Sequence, residues 1–319
     1  MGEPEVAGLI GLGEAIEAVE RALGWQAAGR AQTMEKTHVS WAGGHTLHAL
    51  GAEAAAEGFV GAKSWAHTGG GASPLFILWE SGSGRLLAVL EAFVLGQLRT
   101  AAVSAVATRW LALPEADELA IIGSGKQALP QVAAVAAVRR ISRVRVFSPN
   151  AEHRSAFAAR LSAAGFRFTV SEARSVAEAV AGCPIITTAT RAREPYLDAS
   201  MVSPAALVNA MGAITPERRE LTAALVERAL PVVADSPAAA RRLGVELAGV
   251  AEIVPLSRIV REARSRTSGE RPALFKAMGL GLADLALAIE VWRRATAKRV
   301  GRPLPHPRPA APRLQGETR

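Results

Sequence analysis

A glycine-rich segment at residues 123–128 offers the clearest chemistry in the sequence. It reads Gly-Ser-Gly-Lys-Gln-Ala and fits the pattern G-x-G-x-x-A, between the apolar run 118–122 and a helical pattern. In such a strand–turn–helix context, the first glycine allows a tight turn, the second lets the backbone approach a pyrophosphate, and the alanine lets helix and strand pack closely. The segment therefore predicts a dinucleotide site. Its expected members are Gly123, Ser124, Gly125, Lys126, Gln127 and Ala128.

The residues after the next predicted strand decide which dinucleotide is expected. NAD sites usually carry an acid at this point, which binds the adenine ribose. This chain instead has Ser148, Pro149 and Asn150, with Arg154 beyond them. Without the acid a 2′-phosphate is not repelled, and serine, asparagine and arginine side chains can bind one. We therefore expect NADP(H) as the preferred cofactor, with NAD(H) possible.

Two cationic residues before this segment are candidates for substrate chemistry. Lys63 lies in the strand-like run 58–65, in a chain where arginine far outnumbers lysine. Burial there would lower the pKa of its ammonium group and make it a proton donor or acceptor, whereas the wet face of the strand would leave it an ordinary lysine. Arg99 lies near the start of the helical run 96–112 and is followed by small residues. Its guanidinium suits a carboxylate, unless it only faces solvent.

Two patterns of secondary structure must position these residues. A helical pattern at 14–30 is followed by strand-like runs with turn signals between them and then by the helical run 96–112, which indicates an α+β part. The strand-like runs of this part are 45–50, 58–65, 74–80 and 85–93. From residue 118 onward strands and helices alternate, which predicts an α/β fold with a doubly wound parallel sheet of the Rossmann type. The run 273–299 predicts one long helix that packs back on the first part.

These patterns divide the chain into three regions. We expect a substrate-binding domain from residues 1–115 with 286–300, a dinucleotide-binding domain at 116–285, and a disordered, proline-rich tail at 301–319. Within the second region, an apolar strand is expected to end near Gly212. The chain is then expected to turn at Pro216 and to begin a charged helix.

The composition narrows the class of protein. The net charge of +8 does not indicate nucleic-acid binding, because the basic residues are scattered among acids without a basic stripe interleaved with aromatics. No apolar run reaches the ~18 residues of a membrane span. The single cysteine, Cys183, excludes a disulfide framework within the chain and fits a buried thiol in a cytoplasmic protein. The histidines near Lys36 lack the spacing of metal ligands, so no metal is expected.

Four motifs in order resemble those of the ornithine cyclodeaminase/μ-crystallin family. They are GQLRTAAVSAVATRWLA from residue 96, IIGSGKQA from 121, VNAMGAITPERREL from 208 and LFKAMGLGLADLA from 274. The resemblance covers residues 5–298. It implies a homodimer built through the first domain, which is then a dimerisation domain as well. It also implies an active site in the cleft between the domains and a small imino- or amino-acid substrate.

The resemblance also implies roles for single residues. Arg99 matches the arginine that holds the substrate carboxylate, Lys63 matches the active-site lysine, and Lys36 matches a second basic residue near the carboxylate. Lys126 and Gln127 match contacts to the cofactor phosphates. The other expected cofactor contacts are Thr100, Thr188, Ala189, Thr190, Met211, Gly212, Ala213, Arg218 and Ala277, and His48 and Ile214 are expected beside the substrate.

Two departures from the family pattern bear on the expected reaction and on the expected cofactor. Ile214 stands where the cyclodeaminases carry the aspartate that handles the substrate amine and water, and we expect this isoleucine to be buried. Pro149 replaces an arginine that often contacts the 2′-phosphate. Reducing a preformed imine requires only that the carboxylate be held, the C=N bond placed and the nitrogen protonated.

We therefore expect an NAD(P)H-dependent reductase of 1-pyrroline-2-carboxylate or 1-piperideine-2-carboxylate, which makes L-proline or L-pipecolate. The alternatives are an NAD(P)-dependent amino-acid dehydrogenase and a non-catalytic NADPH-binding protein, with an ornithine cyclodeaminase less favoured.

Overall fold

Two β-sheets organise the chain, whose computed structural model describes residues 1–267, 269–305 and 307–314. The first sheet has antiparallel pairings, and the second is parallel throughout. This arrangement confirms the predicted α/β class, with a doubly wound parallel sheet beside an α+β part.

The antiparallel sheet is built from the N-terminal part of the chain. The elements of this part are α1 (Glu3–Leu9), α2 (Leu12–Ala27), β1 (Gln32–Thr33), β2 (Thr37–Trp41), β3 (His45–Ala54), β4 (Phe59–Thr68), β5 (Gly71–Ala72), β6 (Leu75–Glu80), β7 (Leu86–Glu91) and α3 (Phe93–Leu111). The strand order is β1-β3-β4-β6-β7, with β2 added to β3 and β5 added to β4. The predicted strands and helices of this part are present, within a few residues of their expected bounds.

The parallel sheet begins with the apolar run that precedes the glycine-rich segment. Its elements are β8 (Glu118–Ile122), α4 (Ala128–Val138), β9 (Arg143–Phe147), α5 (Ala151–Ala163), β10 (Thr169–Glu172), α6 (Val176–Val180), β11 (Ile185–Thr188), β12 (Leu207–Ala210), α7 (Ala223–Arg228), β13 (Val232–Ala234), α8 (Pro237–Leu243), β14 (Val254–Pro255), α9 (Leu256–Glu262), β15 (Ala273–Lys276) and α10 (Gly281–Lys298). The strand order is β10-β9-β8-β11-β12-β15-β13-β14. Its central strands β11, β12 and β15 are buried along their whole length, as expected for a sheet covered on both faces.

The segment 273–299 is not the single helix that its apolar pattern predicted. Residues 273–276 form β15, which pairs with β12 on one side and β13 on the other. A turn follows in which Gly279 has a φ of +99°, and α10 begins only at Gly281. A short apolar run is compatible with a buried strand as well as a helix. The hydrogen-bonding edges of β12 and β13 decide in favour of the strand.

The charged helix start after Pro216 was also predicted wrongly. Residues 216 and 217 form a turn, and the next helix, α7, begins at Ala223. The Thr222 side chain accepts a hydrogen bond from the Leu225 amide and thereby caps that helix.

α10 approaches the antiparallel sheet through a contact between two glycines. A Cβ atom on Gly281 would lie 2.2 Å from the carbonyl oxygen of Gly51 in β3, so no side chain fits between them. The helix also packs against α2 and α3. Asp284 follows Gly281 by about one helical turn and therefore projects from the same face of α10. Its neighbour across the contact is Lys63, which pairs in register with Leu50, the residue before Gly51.

The division into domains at residues 115 and 285 stays a proposal, to which the packing of α10 on α2, α3 and β3 lends support. Positions 306 and 315–319 of the predicted tail lie outside the described residues. The described remainder of that tail contains no helix or strand. Cys183 is fully buried, as predicted. Within the described ranges, none of the helices has the length and apolar character needed to cross a membrane.

Gly281→Ala is expected to lower the free energy of unfolding by about 1–3 kcal/mol, because overpacking against the β3 backbone forces the helix or the strand to shift. The matched change Gly24→Ala lies inside α2, where the new methyl group meets nothing within 4 Å. It is expected to raise the free energy of unfolding by about 0.5–1 kcal/mol. Urea denaturation measures both effects. Equal effects of the two changes would contradict the close approach of α10 to β3.

Candidate active site

A buried ion pair joins β4 to α10. Lys63 is only 4% exposed, and its Nζ lies 2.5 Å from Oδ1 of Asp284, which is fully buried. Burial lowers the pKa of Lys63, the Asp284 carboxylate acts in the opposite direction, and the nearby Arg99 lowers it further. Of the two positions that the sequence left open for Lys63, the structure shows the buried one.

Asp284 is not among the site residues that the sequence predicts. It is the aspartate of the segment LFKAMGLGLADLA, whose apolar pattern predicts one continuous helix. An acid in the middle of such a run is itself a signal, because acids are almost never fully buried unless they are paired.

Arg99 lies on the other side of Asp284. Its Nε is 3.4 Å from Asp284 Oδ2, and neither atom has a hydrogen-bond partner among the described residues. The guanidinium rests against Gly279, where a Cβ atom would lie 3.7 Å from Nη1 of Arg99. Asp235 fixes this turn by accepting hydrogen bonds from the amides of Met278 and Gly279 at 2.8 and 2.9 Å. Burial raises the pKa of Asp235, and Arg99 opposes that shift.

Lys36 completes a cationic cluster with Lys63 and Arg99. Burial lowers the pKa of Lys36 to about 8, and the charges of Arg99 and Lys63 lower it in the same direction. The Nζ atoms of Lys36 and Lys63 lie 5.9 and 5.3 Å from the centroid of the Trp65 ring. From α8, Arg242 donates to the Lys36 carbonyl at 3.2 Å, which fixes the segment that carries this lysine.

His48 belongs to an aromatic wall beside the cationic cluster. Its ring stacks on Trp65 at 4.8 Å between centroids and on His38 at 5.4 Å. Burial lowers the pKa of His48 to about 4, with a further contribution from the charge of Lys36. His48 is therefore neutral at neutral pH, and it contributes a flat surface and a hydrogen-bonding nitrogen rather than charge.

The charges of this site favour an anion. Lys63 and Arg99 lie against Asp284, the charges of both act on the nearby Lys36, and burial disfavours the ionised form of Asp235. An excess of positive charge therefore surrounds Arg99 Nε and Asp284 Oδ2, which have no hydrogen-bond partner among the described residues. A small carboxylate would reduce this excess and could bind the guanidinium of Arg99.

The glycine loop (residues 123–127) lies at the carboxyl end of β8, where α4 begins. Gly123 has a φ of +113°, and a Cβ atom on it would lie 2.6 Å from the carbonyl oxygen of Ala189, so this position requires glycine. At Gly125 a Cβ atom would meet nothing within 4 Å, so the loop is open to a ligand at the N-terminus of α4. These features fit a dinucleotide pyrophosphate. Lys126 extends from the loop toward α3, with its Nζ 5.7 Å from the centroid of the Phe93 ring.

Glu220 ties the ends of β11 and β12 together beside this loop. Its Oε2 accepts hydrogen bonds from the Thr188 hydroxyl at 2.8 Å and the Gly212 amide at 2.9 Å. Its Oε1 accepts from the amide and the hydroxyl of Thr190 at 2.8 and 2.7 Å, and from the Tyr196 hydroxyl at 3.2 Å. Glu220 is fully buried and was not predicted as a site residue. Its signal is the acid of the segment NAMGAITPERREL, and its contacts show why Gly212 can carry no side chain.

A second buried ion pair supports Glu220 from behind. Glu246 accepts hydrogen bonds from the amides of Glu220 and Leu221, and its other oxygen pairs with Lys276 at the end of β15. The side chains of Glu246 and Lys276 are both fully buried. The loop that contains Met211, Gly212 and Ala213 is thus anchored through three contacts in series. Gly212 bonds to Glu220, the Glu220 backbone bonds to Glu246, and Glu246 pairs with Lys276.

Several predicted site residues make other contacts in this structure. The Thr100 hydroxyl donates to the Gly96 carbonyl within α3. The Asn150 side chain accepts from the His153 amide and caps α5. Ile214 is half-buried in the loop after β12, not buried as predicted.

Of the remaining predicted residues, Arg218 is half-buried in the turn after Pro216, and Ala277 is buried with its amide bonded to Ala210. In the described part of the chain no group of three or more His, Cys, Asp or Glu residues is placed to hold a metal ion.

Comparisons with known proteins place this chain in a family. The model of the ornithine cyclodeaminase/mu-crystallin family matches residues 3–299. The chain is similar to the ketimine reductase mu-crystallin of Rattus norvegicus, with 35% identity over 217 residues that make up 68% of this chain and 67% of the relative. It is similar to the Delta(1)-pyrroline-2-carboxylate reductase of Bacillus cereus, with 31% identity over 241 residues, 71% of this chain and 72% of the relative.

One solved structure is similar over almost the whole chain. It is an archaeal alanine dehydrogenase dimer with bound NAD, which superposes with a TM-score of 0.87 and 27% sequence identity. The match covers 95% of this chain and 97% of that structure.

Asp284→Asn is expected to lower the free energy of unfolding by about 3–5 kcal/mol, because Lys63 is then buried without a carboxylate. The change also removes the interaction that raises the pKa of Lys63. Between the lowered pKa of folded Lys63 and its ordinary value in the unfolded chain, the unfolded chain binds more protons than the folded one, so the variant should regain stability as the pH rises through that interval.

A double-mutant cycle checks this expectation by urea denaturation. Asp284→Asn combined with Lys63→Met should destabilise the protein by less than the sum of the single changes. Additive losses would show that the two side chains do not act as a pair.

Proposed function

The chain belongs to the ornithine cyclodeaminase/mu-crystallin family, and we propose that it is a reductase of cyclic ketimine carboxylates. It is an NAD(P)H-dependent oxidoreductase, in keeping with its similarity to reductases and to an alanine dehydrogenase. The proposed reaction converts 1-pyrroline-2-carboxylate or 1-piperideine-2-carboxylate into L-proline or L-pipecolate. The buried Lys63–Asp284 pair beside Arg99 carries the proposal, because it combines a carboxylate site with a proton donor.

In this proposal Arg99 and Lys36 bind the substrate carboxylate. The guanidinium of Arg99 presents a planar fork of donors, and its Nε has no hydrogen-bond partner among the described residues. Lys36, in the connection between β1 and β2, adds a second positive charge while its ammonium is protonated. The aromatic wall of His38, His48 and Trp65 gives a planar ring a flat surface to lie against.

Lys63 protonates the substrate nitrogen. Asp284 holds Nζ through one N–H bond at 2.5 Å, so the other two N–H bonds of the ammonium are directed away from this carboxylate. When the nitrogen takes a proton, Lys63 becomes an amine that still donates to Asp284, and it regains its proton from solvent. The bound dinucleotide supplies the hydride that completes the reduction of the C=N bond.

The chain's own contacts support a dinucleotide with its nicotinamide end near this cluster. The glycine loop would hold the pyrophosphate at the N-terminus of α4, assisted by Lys126. Residues 188–190 and 211–213, which Glu220 ties together, would face the nicotinamide end. Arg218 and Ala277 are proposed as more peripheral cofactor contacts.

The loop after β12 favours reduction over deamination. Orienting a substrate amine or activating water requires an acid or base, and the half-buried side chain at this point is Ile214. The Lys63–Asp284 pair also distinguishes the chain from a protein that only binds NADPH, because such a protein has no use for a buried proton donor.

A second candidate function is an amino-acid dehydrogenase that acts on an open-chain 2-oxo acid and an amine. It is favoured by the similarity to the alanine dehydrogenase, which extends over 95% of this chain.

A homodimer built through the first sheet is part of the proposal. Large apolar side chains are exposed on its strands, namely Val39, Trp41, Leu47 and Leu75. Exposed apolar surface of this kind is typical of protein–protein interfaces. The solved alanine dehydrogenase to which the chain is similar is a dimer.

The function is tested by following the absorbance of NADH or NADPH with each cyclic imine and with pyruvate plus ammonia or methylamine. We expect oxidation of the cofactor with a cyclic imine. Arg99→Ala should reduce kcat/KM about 100-fold or more, because a charged hydrogen-bonding partner of the carboxylate is lost, while cofactor binding stays largely intact. Turnover only with the open-chain pair would favour the dehydrogenase. Ammonia release from ornithine would overturn the argument from Ile214.

The pKa of about 8 for Lys36 predicts how substrate binding depends on pH. Lys36 is protonated below this pH and loses its charge above it, so the KM for the imine carboxylate should rise as the pH increases through about 8. Lys36→Arg stays charged and should remove this rise, whereas Lys36→Gln should give a high KM at every pH. The substrate's own titration is common to all three proteins. A rise in KM that is unchanged in Lys36→Arg would therefore assign it to another group.

A further inference from the structure

We propose that Glu172 sets the choice of cofactor and favours NAD(H) over NADP(H). The inference rests on the proposed use of a nicotinamide dinucleotide, and it deepens that proposal by naming a residue that selects between the two forms. The two forms differ by a phosphate on the 2′-oxygen of the adenine ribose, and in a Rossmann fold this ribose lies at the end of the strand after the glycine loop.

Glu172 reaches that place from the neighbouring strand. It is the last residue of β10, which runs parallel to β9 and pairs with it so that Glu172 is level with Val146. Its Oε2 lies 3.2 Å from Nε of Arg154 and accepts a hydrogen bond from the Ser155 hydroxyl at 2.8 Å. The carboxylate is thus fixed at the end of β9, although the sequence carries no acid in β9 itself.

Arg154 connects Glu172 to the expected ribose site. Its Nη1 donates to the carbonyl of Ser148 at 2.8 Å, and its side chain is only 16% exposed. The Ser148 hydroxyl in turn accepts from the hydroxyl of Ser124 in the glycine loop at 3.1 Å. The arginine that the sequence offered as a phosphate ligand is therefore neutralised by Glu172 and bonded to the backbone.

The other side chains at this end of β9 do not compensate for that pairing. Asn150 uses its side-chain oxygen to cap α5. Pro149 has neither a backbone N–H nor a polar side chain to offer a phosphate. A 2′-phosphate would have to lie beside the Glu172 carboxylate or displace it from Arg154. The two free ribose hydroxyls of NAD meet no such cost, and a carboxylate can accept a hydrogen bond from one of them.

This inference runs against the preference for NADP(H) expected from the sequence. The sequence predicts NADP(H) because no acid follows β9, but that prediction omits Glu172 on the neighbouring strand β10. In three dimensions the acid at the end of β10 can repel a 2′-phosphate just as one in β9 would.

The test is the dissociation constant of each reduced cofactor, measured by calorimetry in the absence of any imine substrate. We expect NADH to bind the natural chain at least about tenfold more tightly than NADPH, which is the ratio that one charge-assisted contact supplies. Glu172→Gln keeps the size of the side chain and removes its charge. It should tighten NADPH binding at least about tenfold and change NADH binding much less.

Two further variants make the result specific. In the Glu172→Gln background, Arg154→Gln should cancel the gain for NADPH, because the released guanidinium provides it. Glu118→Gln is the matched control. Glu118 pairs with Arg143 and Arg145 at the amino ends of β8 and β9, away from the expected ribose site at their carboxyl ends, so the ratio of the two constants should stay unchanged. Thermal unfolding of each variant verifies that it is folded.

Tighter binding of NADPH than NADH by the natural chain would overturn this inference, as would an unchanged ratio in Glu172→Gln. Neither result would affect the proposed imine reduction, which the absorbance assay tests separately. Failure of both cofactors to bind the natural chain would overturn the proposed function and this inference together.

Discussion

The Lys63–Asp284 ion pair depends on how closely α10 approaches the antiparallel sheet. Each of its charges is buried, and a buried charge is tolerated only beside a partner at hydrogen-bonding distance. The contact between Gly281 and Gly51 brings the helix near enough for Asp284 to reach Lys63 across 2.5 Å. Arg99 lies against the same carboxylate and Lys36 lies near Arg99 and Lys63, so the mutual repulsion of the three cations makes the site receptive to an anion.

The carboxyl edge of the parallel sheet is organised by the same principle. Glu220 gathers donors from two strand ends, Glu246 holds the backbone of Glu220, and Lys276 neutralises Glu246. Glu220 and Glu246 are both buried away from solvent. Buried carboxylates with complete sets of donors are rigid, and rigidity is what a loop facing the nicotinamide end of a cofactor requires.

Much of this arrangement could be predicted from residue patterns. The glycine loop, the α/β class and Lys63 in a strand follow from local composition and periodicity, which are properties of neighbouring residues. The sequence marks Asp284 and Glu220 as acids in otherwise apolar or turn segments, but their roles and that of Glu172 depend on which strand and helix ends pack together, and local patterns do not give this packing. The helix predicted at 273–276 was wrong for the same reason. These four residues form a strand because they pair with β12 on one side and β13 on the other, and their own apolar pattern does not decide between strand and helix.

We propose that the substrate carboxylate balances the excess positive charge of the cluster formed by Lys36, Lys63 and Arg99. A binding experiment tests this by comparing pyrrole-2-carboxylate with pyrrole-2-carboxamide on the complex of the protein with its preferred reduced cofactor. The two planar molecules share a ring and nearly a shape, but only the first carries a charge. We expect the carboxylate to bind at least about 100-fold more tightly, because only the carboxylate forms a charged pair with Arg99. Equal affinities for the two molecules would contradict it.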